Sequence, residues 1–310
     1  MSDKLRRFLL ENLHVRGEWV SLQSSWQEIQ KTADYPKPVR HVLGEALAAI
    51  SLLAESLKFD GSLILQIRGT QPVTMLVVQA TSDGGLRGIA HWDGDIPEEA
   101  TFNQLFGEGT IIISVEPSGT SNGNRYQSLI ALQGDSLADC LKGYFEQSEQ
   151  LKTQLWLVAD DEKVAGLMLQ ALPRSSQDDS VQRAEQAHTN ETGWQHATIL
   201  ADTIKNQELL ELDVNTLLHR LYHDDDVRLF DENPLRFECT CSQIKIDNAI
   251  RSMGEVEALD IIKEQGSIQV DCEFCNTHYT FDKVDVEKLF IAEDVTVIEN
   301  PSDDLGNSVH

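Results

Sequence analysis

The chain has 310 residues, of which 41% are hydrophobic, enough to close a substantial core in one large domain or two unequal ones. Its 25 Lys and Arg stand against 51 Asp and Glu, and the net charge of −26 excludes the dense basic face that would wrap a phosphate backbone. No run reaches the roughly 18 to 20 consecutive apolar residues of a membrane span, and Met1 to Glu11 lacks a signal-peptide pattern, so a cytoplasmic protein is expected.

In chain order, Val15–Leu22, Ser62–Arg68, Val73–Thr81 and Leu86–Trp92 are short runs rich in β-branched or aromatic residues. The turn signal Asp83-Gly84-Gly85 makes the last three an antiparallel meander. Between them, Val39–Leu57 follows Pro38 at a first helical position and carries a broad apolar face. Strands are predicted at Thr110–Val115 and Arg125–Leu132, joined through Asn122-Gly123, and at Gln154–Ala159 and Val164–Ala171 around the polar turn Asp160–Lys163. A second helix, Ser136–Gln147 capped by Asp135, carries Cys140 as a core residue. Strands and helices come in separated runs, which predicts an α+β fold with a mostly antiparallel sheet over residues 1–173.

At Pro173 the composition changes. Residues 174–193 are almost entirely polar, which marks a domain boundary or an exposed helix. Then Trp194, Ala197, Ala201 and Ile204, and again Leu210, Val214, Leu217, Leu218, Leu221 and Tyr222, recur at spacings of three and four, as in two amphipathic helices. Residues 174–234 therefore read as a helical linker whose apolar stripe must lie on something, the amino-terminal sheet being the candidate. Charge follows the same division. Residues 177–310 carry 10 basic and 29 acidic side chains, whereas residues 1–60 carry 8 of each.

The cysteines are equally uneven. Cys140 stands alone; Cys239-Thr240-Cys241 and Cys272-Glu273-Phe274-Cys275 form two tight pairs in one acidic module, residues 235–295, followed by a tail at 296–310. In a reducing compartment two such pairs on separate knuckles build a tetrahedral sulfur cage for zinc, with sulfurs about 2.3 Å from the metal. Four sulfurs leave no open position, so the zinc is structural, His278 is a neighbour rather than a ligand, and no enzyme activity is expected.

Two residues of extended backbone span about 7 Å, so a modest bend lets Cys239 bond Cys241. Cys272 and Cys275 sit in a four-residue turn and can bond each other too. A module of about sixty residues leans on its metal, which contributes about 10–16 kcal/mol in small peptides, and short-loop disulfides restore little of that. Oxidation at sulfur thus becomes a folded-to-disordered switch.

Three segments resemble a known family. They are Leu218-His219-Arg220-Leu221-Tyr222-His223 with its acidic sequel and Val227, Phe237-Glu238-Cys239-Thr240-Cys241-Ser242, and Cys272-Glu273-Phe274-Cys275-Asn276-Thr277-His278-Tyr279 with Phe281. The chain is similar to the redox-regulated holdases of the bacterial cytoplasm, the heat-shock protein 33 family. That resemblance implies an ATP-independent chaperone that binds unfolding client proteins, is dimeric when active, and hands clients to ATP-dependent foldases. It also implies a protein inactive with zinc on Cys239, Cys241, Cys272 and Cys275 and switched on by oxidant and heat.

Two other classes fit parts of the pattern: a zinc-ribbon regulator, which the −19 of residues 177–310 limits to a protein partner, and a thiol-disulfide oxidoreductase, which lacks a strand-helix context around Cys272. Gly107-Glu108-Gly109 and Gly119–Gly123 lack the Lys-Ser/Thr of a phosphate loop and read as turns. His188, His196, His219, His223 and the run Asp224–Asp226 read as solvated faces and a helix end.

Overall fold

A computed structural model describes residues 3–57, 59–118, 126–172 and 180–291, so the Asn122-Gly123 turn, the Gly119–Gly123 segment, Pro173 and the 296–310 tail lie outside the described residues. The chain divides into two compact units, Met1–Cys239 and Thr240–His310. The first unit opens with β1 (Lys4–Leu10), β2 (Val15–Leu22), α1 (Ser24–Gln30), α2 (Lys37–Ser56), β3 (Gly61–Arg68), β4 (Val73–Thr81) and β5 (Gly85–Trp92). It continues through α3 (Phe102–Phe106), β6 (Thr110–Pro117), β7 (Tyr126–Ala131), α4 (Leu137–Tyr144), β8 (Thr153–Ala159) and β9 (Val164–Ala171). It closes with α5 (Ser180–Ala201), α6 (Asn206–Glu211), α7 (Val214–Tyr222), β10 (Val227–Pro234) and β11 (Arg236–Phe237).

Two sheets result, in the orders β10-β1-β2-β9-β8 and β11-β5-β4-β3-β6-β7. Every pairing is antiparallel except β11 with β5. The expected α+β architecture and the β3-β4-β5 meander are present. Helix α2 packs against strands of both sheets, which is why its apolar face is so broad: thirteen of its residues, from Pro38 to Leu53, are buried. Approach to the first sheet is close enough that a Cβ on Gly44 would stand 2.4 Å from the Cβ of Ala159.

The opposite face of the first sheet carries a second core. Phe8, Leu10, Val15, Trp19, Leu167 and Leu169 pack there against Ala197, Ala201, Leu209, Val214, Leu217, Leu218, Leu221 and Tyr222 of α5–α7. The amphipathic stripe thus lies on the amino-terminal sheet, as its periodicity demanded. Covered on both faces, β9 is buried along nearly its whole length and shows no polar alternation. Tyr222 fastens the layer: its hydroxyl donates to the Ala197 carbonyl at 3.0 Å and its ring lies 6.5 Å from that of Phe8.

Several boundaries differ from expectation. The Cys140 helix begins at Leu137 with Ser136 as its cap, because the Ser136 hydroxyl accepts from the Asp139 N–H. Asp135 instead takes the Asn103 amide, and beyond Tyr144 the chain widens into a π-helical turn, Phe145–Glu149, so the α-helix does not reach Gln147. Leu210 belongs to α6, separate from α7, because Asp213 is extended (ψ 157°) and starts a new helix.

Asp213 accepts from the N–H groups of Asn215 (2.9 Å) and Thr216 (3.2 Å). The Thr216 hydroxyl first, then these backbone bonds, hold its carboxyl below the usual carboxylate range. Asp213→Ala should cost about 1 kcal/mol, read as faster hydrogen exchange across α7. Because the folded pKa is depressed, the wild-type advantage is present above the unfolded carboxylate value and is lost as pH falls through the folded one. The two proteins should therefore converge in acid.

The second unit is small. It holds α8 (Gln243–Met253), α9 (Glu255–Gln265), β12 (Ile268–Asp271), β13 (His278–Phe281) and α10 (Lys283–Ile291). Its core among the described residues is Ile250, Ala258, Ile262, Ile268, Phe281 and Val286. No described helix of the protein is long and apolar enough to cross a membrane.

Candidate metal centre

Three local structures deliver the four clustered cysteines. Residues 236 and 237 pair with Gly85 and Leu86, and the Glu238 N–H continues the ladder to the Leu86 carbonyl at 2.9 Å, which holds the backbone just before Cys239. Arg236 locks this segment by donating to the Asp83 carbonyl at 2.6 Å and its carboxylate at 2.5 Å. Cys241 immediately precedes Ser242, the N-cap of α8, whose hydroxyl accepts from the Lys245 N–H at 3.4 Å; the Lys245 ammonium donates to the Thr240 carbonyl at 2.7 Å.

The third local structure is the hairpin of β12 and β13, with Asp271 opposite His278. In its turn the Asn276 N–H bonds the Cys272 carbonyl at 2.7 Å, the Cys275 N–H reaches the same carbonyl at 3.2 Å, and the Cys272 N–H bonds the Thr277 carbonyl at 2.9 Å. Asn276 takes the left-handed conformation (φ 55°) that this tight return needs, a role asparagine tolerates better than most residues.

The Sγ atoms of Cys239, Cys241, Cys272 and Cys275 all lie within 4.8 Å of one another, and those of Cys241 and Cys275 are 3.5 Å apart. A tetrahedron with metal–sulfur bonds of about 2.3 Å has edges of about 3.8 Å, so the donor set matches a soft, tetrahedral ion without rearrangement of the chain. The four cysteines are positioned to hold a metal ion, and each is half-buried. Among the described residues they are the one such group of three or more ligating side chains.

The remaining candidates fall elsewhere. Cys140 is buried in α4, where burial pushes its thiol up to about 11, and takes no part in the cluster. His278 turns to Asp271, with Nδ1 2.6 Å from Oδ1. His219 and His223 meet edge to face one turn apart with ring centroids 6.0 Å apart, and His196 pairs with Asp225 at 3.1 Å. Cys272 and Cys275 lie in a β-hairpin turn and not at a helix start, unlike the site of a thioredoxin-type oxidoreductase.

Sequence reasoning missed the polar groups around the sulfurs. The Tyr279 hydroxyl donates to Cys241 Sγ at 3.3 Å, a bond that pushes its own pKa up to about 12, and Thr277 Oγ1 is 3.1 Å from Cys275 Sγ. On β5, Arg87 bonds Gln79 Oε1 at 2.7 Å and makes a long contact, 3.8 Å, to Cys239 Sγ. The one available signal was strand alternation, which puts residues 277 and 279, two apart, on one face and His278 on the other without telling which face meets the sulfurs.

The profile of the family described as Hsp33 protein matches residues 3–282. The 33 kDa chaperonin of Nitrosococcus oceani is 44% identical over 288 residues, spanning 93% of this chain and 94% of that one. That of Pseudomonas aeruginosa is 44% identical over 291 residues, spanning 93% and 95%. The crystal structure of a 33 kDa chaperonin from Thermotoga maritima superposes with a TM-score of 0.78 over 94% of this chain and 99% of its own, at 20% identity, which speaks for the fold. With its four-cysteine cluster, its two-sheet amino-terminal unit and full-length relatives named as chaperonins, this chain belongs to the Hsp33 family of chaperones.

Proposed function

We propose that this protein is a redox-controlled, ATP-independent holdase of the cytoplasm. Reduced, it is inactive with zinc on Cys239, Cys241, Cys272 and Cys275; oxidised under heat stress, it binds unfolding proteins and keeps them from aggregating. The observation that carries the reading is the convergence of four thiols, three of them in a unit whose core comprises only six buried apolar side chains among the described residues. Bound zinc would supply a four-way cross-link and keep its ligands in the thiolate form.

The chain supplies the rest. A thiolate attacks one oxygen of hydrogen peroxide, giving a sulfenic acid and hydroxide. The neighbouring thiolate then attacks that sulfur, the disulfide forms, and a second hydroxide leaves. Per pair, two thiolates are oxidised, one peroxide is reduced, and two protons from solvent complete two waters. The pairs adjacent in sequence, Cys239 with Cys241 and Cys272 with Cys275, are the ones that couple in this reading. Each disulfide closes a loop too short to restrict the unfolded chain much, so the second unit loses its cross-link and gains little in return.

The surface to be uncovered is the outer face of the first sheet. Phe8, Leu10, Trp19, Leu167 and Leu169 form a continuous apolar floor beneath α5–α7. Such a floor binds the exposed apolar segments of an unfolding client without reading their sequence. The active form is a homodimer, and clients pass from it to ATP-dependent foldases.

Reduced protein should contain one zinc per chain with four thiols protected. Peroxide at elevated temperature should release that zinc with loss of the same four thiols, map disulfides to 239–241 and 272–275, and start suppression of client aggregation. Oxidised, zinc-free protein without suppressing activity would overturn the reading.

A further inference from the structure

The geometry points to Tyr279 as the residue that sets the oxidation threshold of this switch: its hydroxyl, donating to Cys241, slows attack of that sulfur on oxidant, and Thr277 does the same at Cys275. The inference rests on the redox role proposed for the cysteines and adds the side chains that govern how fast they react.

Pairing of Ile268 with Phe281 through Asp271 with His278 fixes the hairpin register, and with it the side on which each residue of the return strand stands. Tyr279 and Thr277 present their oxygens to two different sulfurs, at 3.3 and 3.1 Å, one from each cysteine pair. The Tyr279 ring packs against the Ile250–Val286 core, so its oxygen is held in place, whereas Thr277 is exposed.

A sulfur held as thiolate has no proton to give, so each hydroxyl must donate to it, and hydrogen bonds to a charged acceptor are the strong kind. The bond stabilises the lone pair that has to attack. As the sulfur–oxygen bond forms and the oxygen–oxygen bond breaks, negative charge passes from sulfur to the departing hydroxide, and the donor loses its acceptor. An interaction stronger in the ground state than in the transition state raises the barrier. Tyr279→Phe deletes the donor and keeps the ring that packs.

The test uses the full-length, zinc-loaded protein with hydrogen peroxide, following thiol loss by mass spectrometry separately for Cys239 with Cys241 and Cys272 with Cys275. Zinc transfer to a chelating dye without oxidant is measured alongside. Tyr279→Phe should oxidise at the first pair about three- to tenfold faster than wild type, the upper figure being one tenfold step in rate. Zinc transfer to the dye should change by less than the oxidation rate does.

Thr277→Val carries the same prediction at the second pair, with a smaller factor because water can replace its hydroxyl, and it stands should Tyr279→Phe fail to fold. An unchanged oxidation rate, or equal acceleration of oxidation and dye transfer, overturns the inference. Wild-type protein that oxidises at these sulfurs without gaining activity refutes the proposed function instead and leaves the rate effect of Tyr279 standing.

Discussion

Stripping the metal with a high-affinity chelator should abolish the far-UV helix signal of α8, α9 and α10 and leave tryptophan emission where it was. All five tryptophans (Trp19, Trp26, Trp92, Trp156 and Trp194) lie in the first unit, so the two signals report on different parts of the chain. A structural zinc contributes about 10–16 kcal/mol in small peptides, as much as the whole stability of an ordinary domain at about 5–15 kcal/mol. Few buried side chains remain to replace it. Cys272→Ser should reproduce the effect without a chelator, since three sulfurs leave the tetrahedron open. Retention of the helix signal by zinc-free protein would remove the basis of the switch.

The second large effect concerns the helical layer. Tyr222 is 1% exposed and joins α7 to α5 through its hydroxyl and to β1 through its ring. Tyr222→Ala should cost about 3–5 kcal/mol, the usual range for truncating a buried aromatic residue, while Tyr222→Phe should cost about 1 kcal/mol for the hydroxyl alone. The loss falls on α5–α7, since the main core, which runs from Leu5 to Met168 and includes helix α2, does not include Tyr222. Trp19, 2% exposed beneath that layer, should shift its emission to the red in the alanine variant. That variant should also suppress client aggregation while still reduced and zinc-loaded. The phenylalanine variant should need oxidant, as wild type does. A red shift without suppression would place client binding on some other surface.

What the sequence disclosed follows from the range of the interactions involved. Strands such as Val73–Thr81 and the long Lys37–Ser56 helix were legible because their apolar period is local. The four-cysteine cluster was legible because tight spacing is itself the signal. By contrast β1, with Arg6 and Arg7 in its middle, and β10, with Asp231, Glu232 and Pro234, look like exposed chain. β10 becomes a strand only by pairing with β1, which itself lies between β2 and β10, and Arg6 donates to the Phe230 carbonyl at 3.0 and 2.7 Å across 224 residues.

Helix α1 was hidden for a similar reason. It has no capping side chain of its own; the buried carboxylate of Asp3 accepts instead from the N–H groups of Gln23, Ser24 and Ser25 at 2.6–2.8 Å. The hydroxyls at the sulfurs were out of reach because they depend on hairpin register, which pairs residues that sequence spacing alone does not align.

The long separation of β1 from β10 also shapes biogenesis. At about 5–20 residues per second of translation, the outer edge of β1 waits roughly ten to forty-five seconds before its partner leaves the ribosome. Through that interval a nascent chain carries an open row of backbone donors and acceptors that any extended segment can join. The polypeptide is thus itself a candidate for chaperoning while it is being made, and arginines at the centre of β1 put charge on the edge left bare.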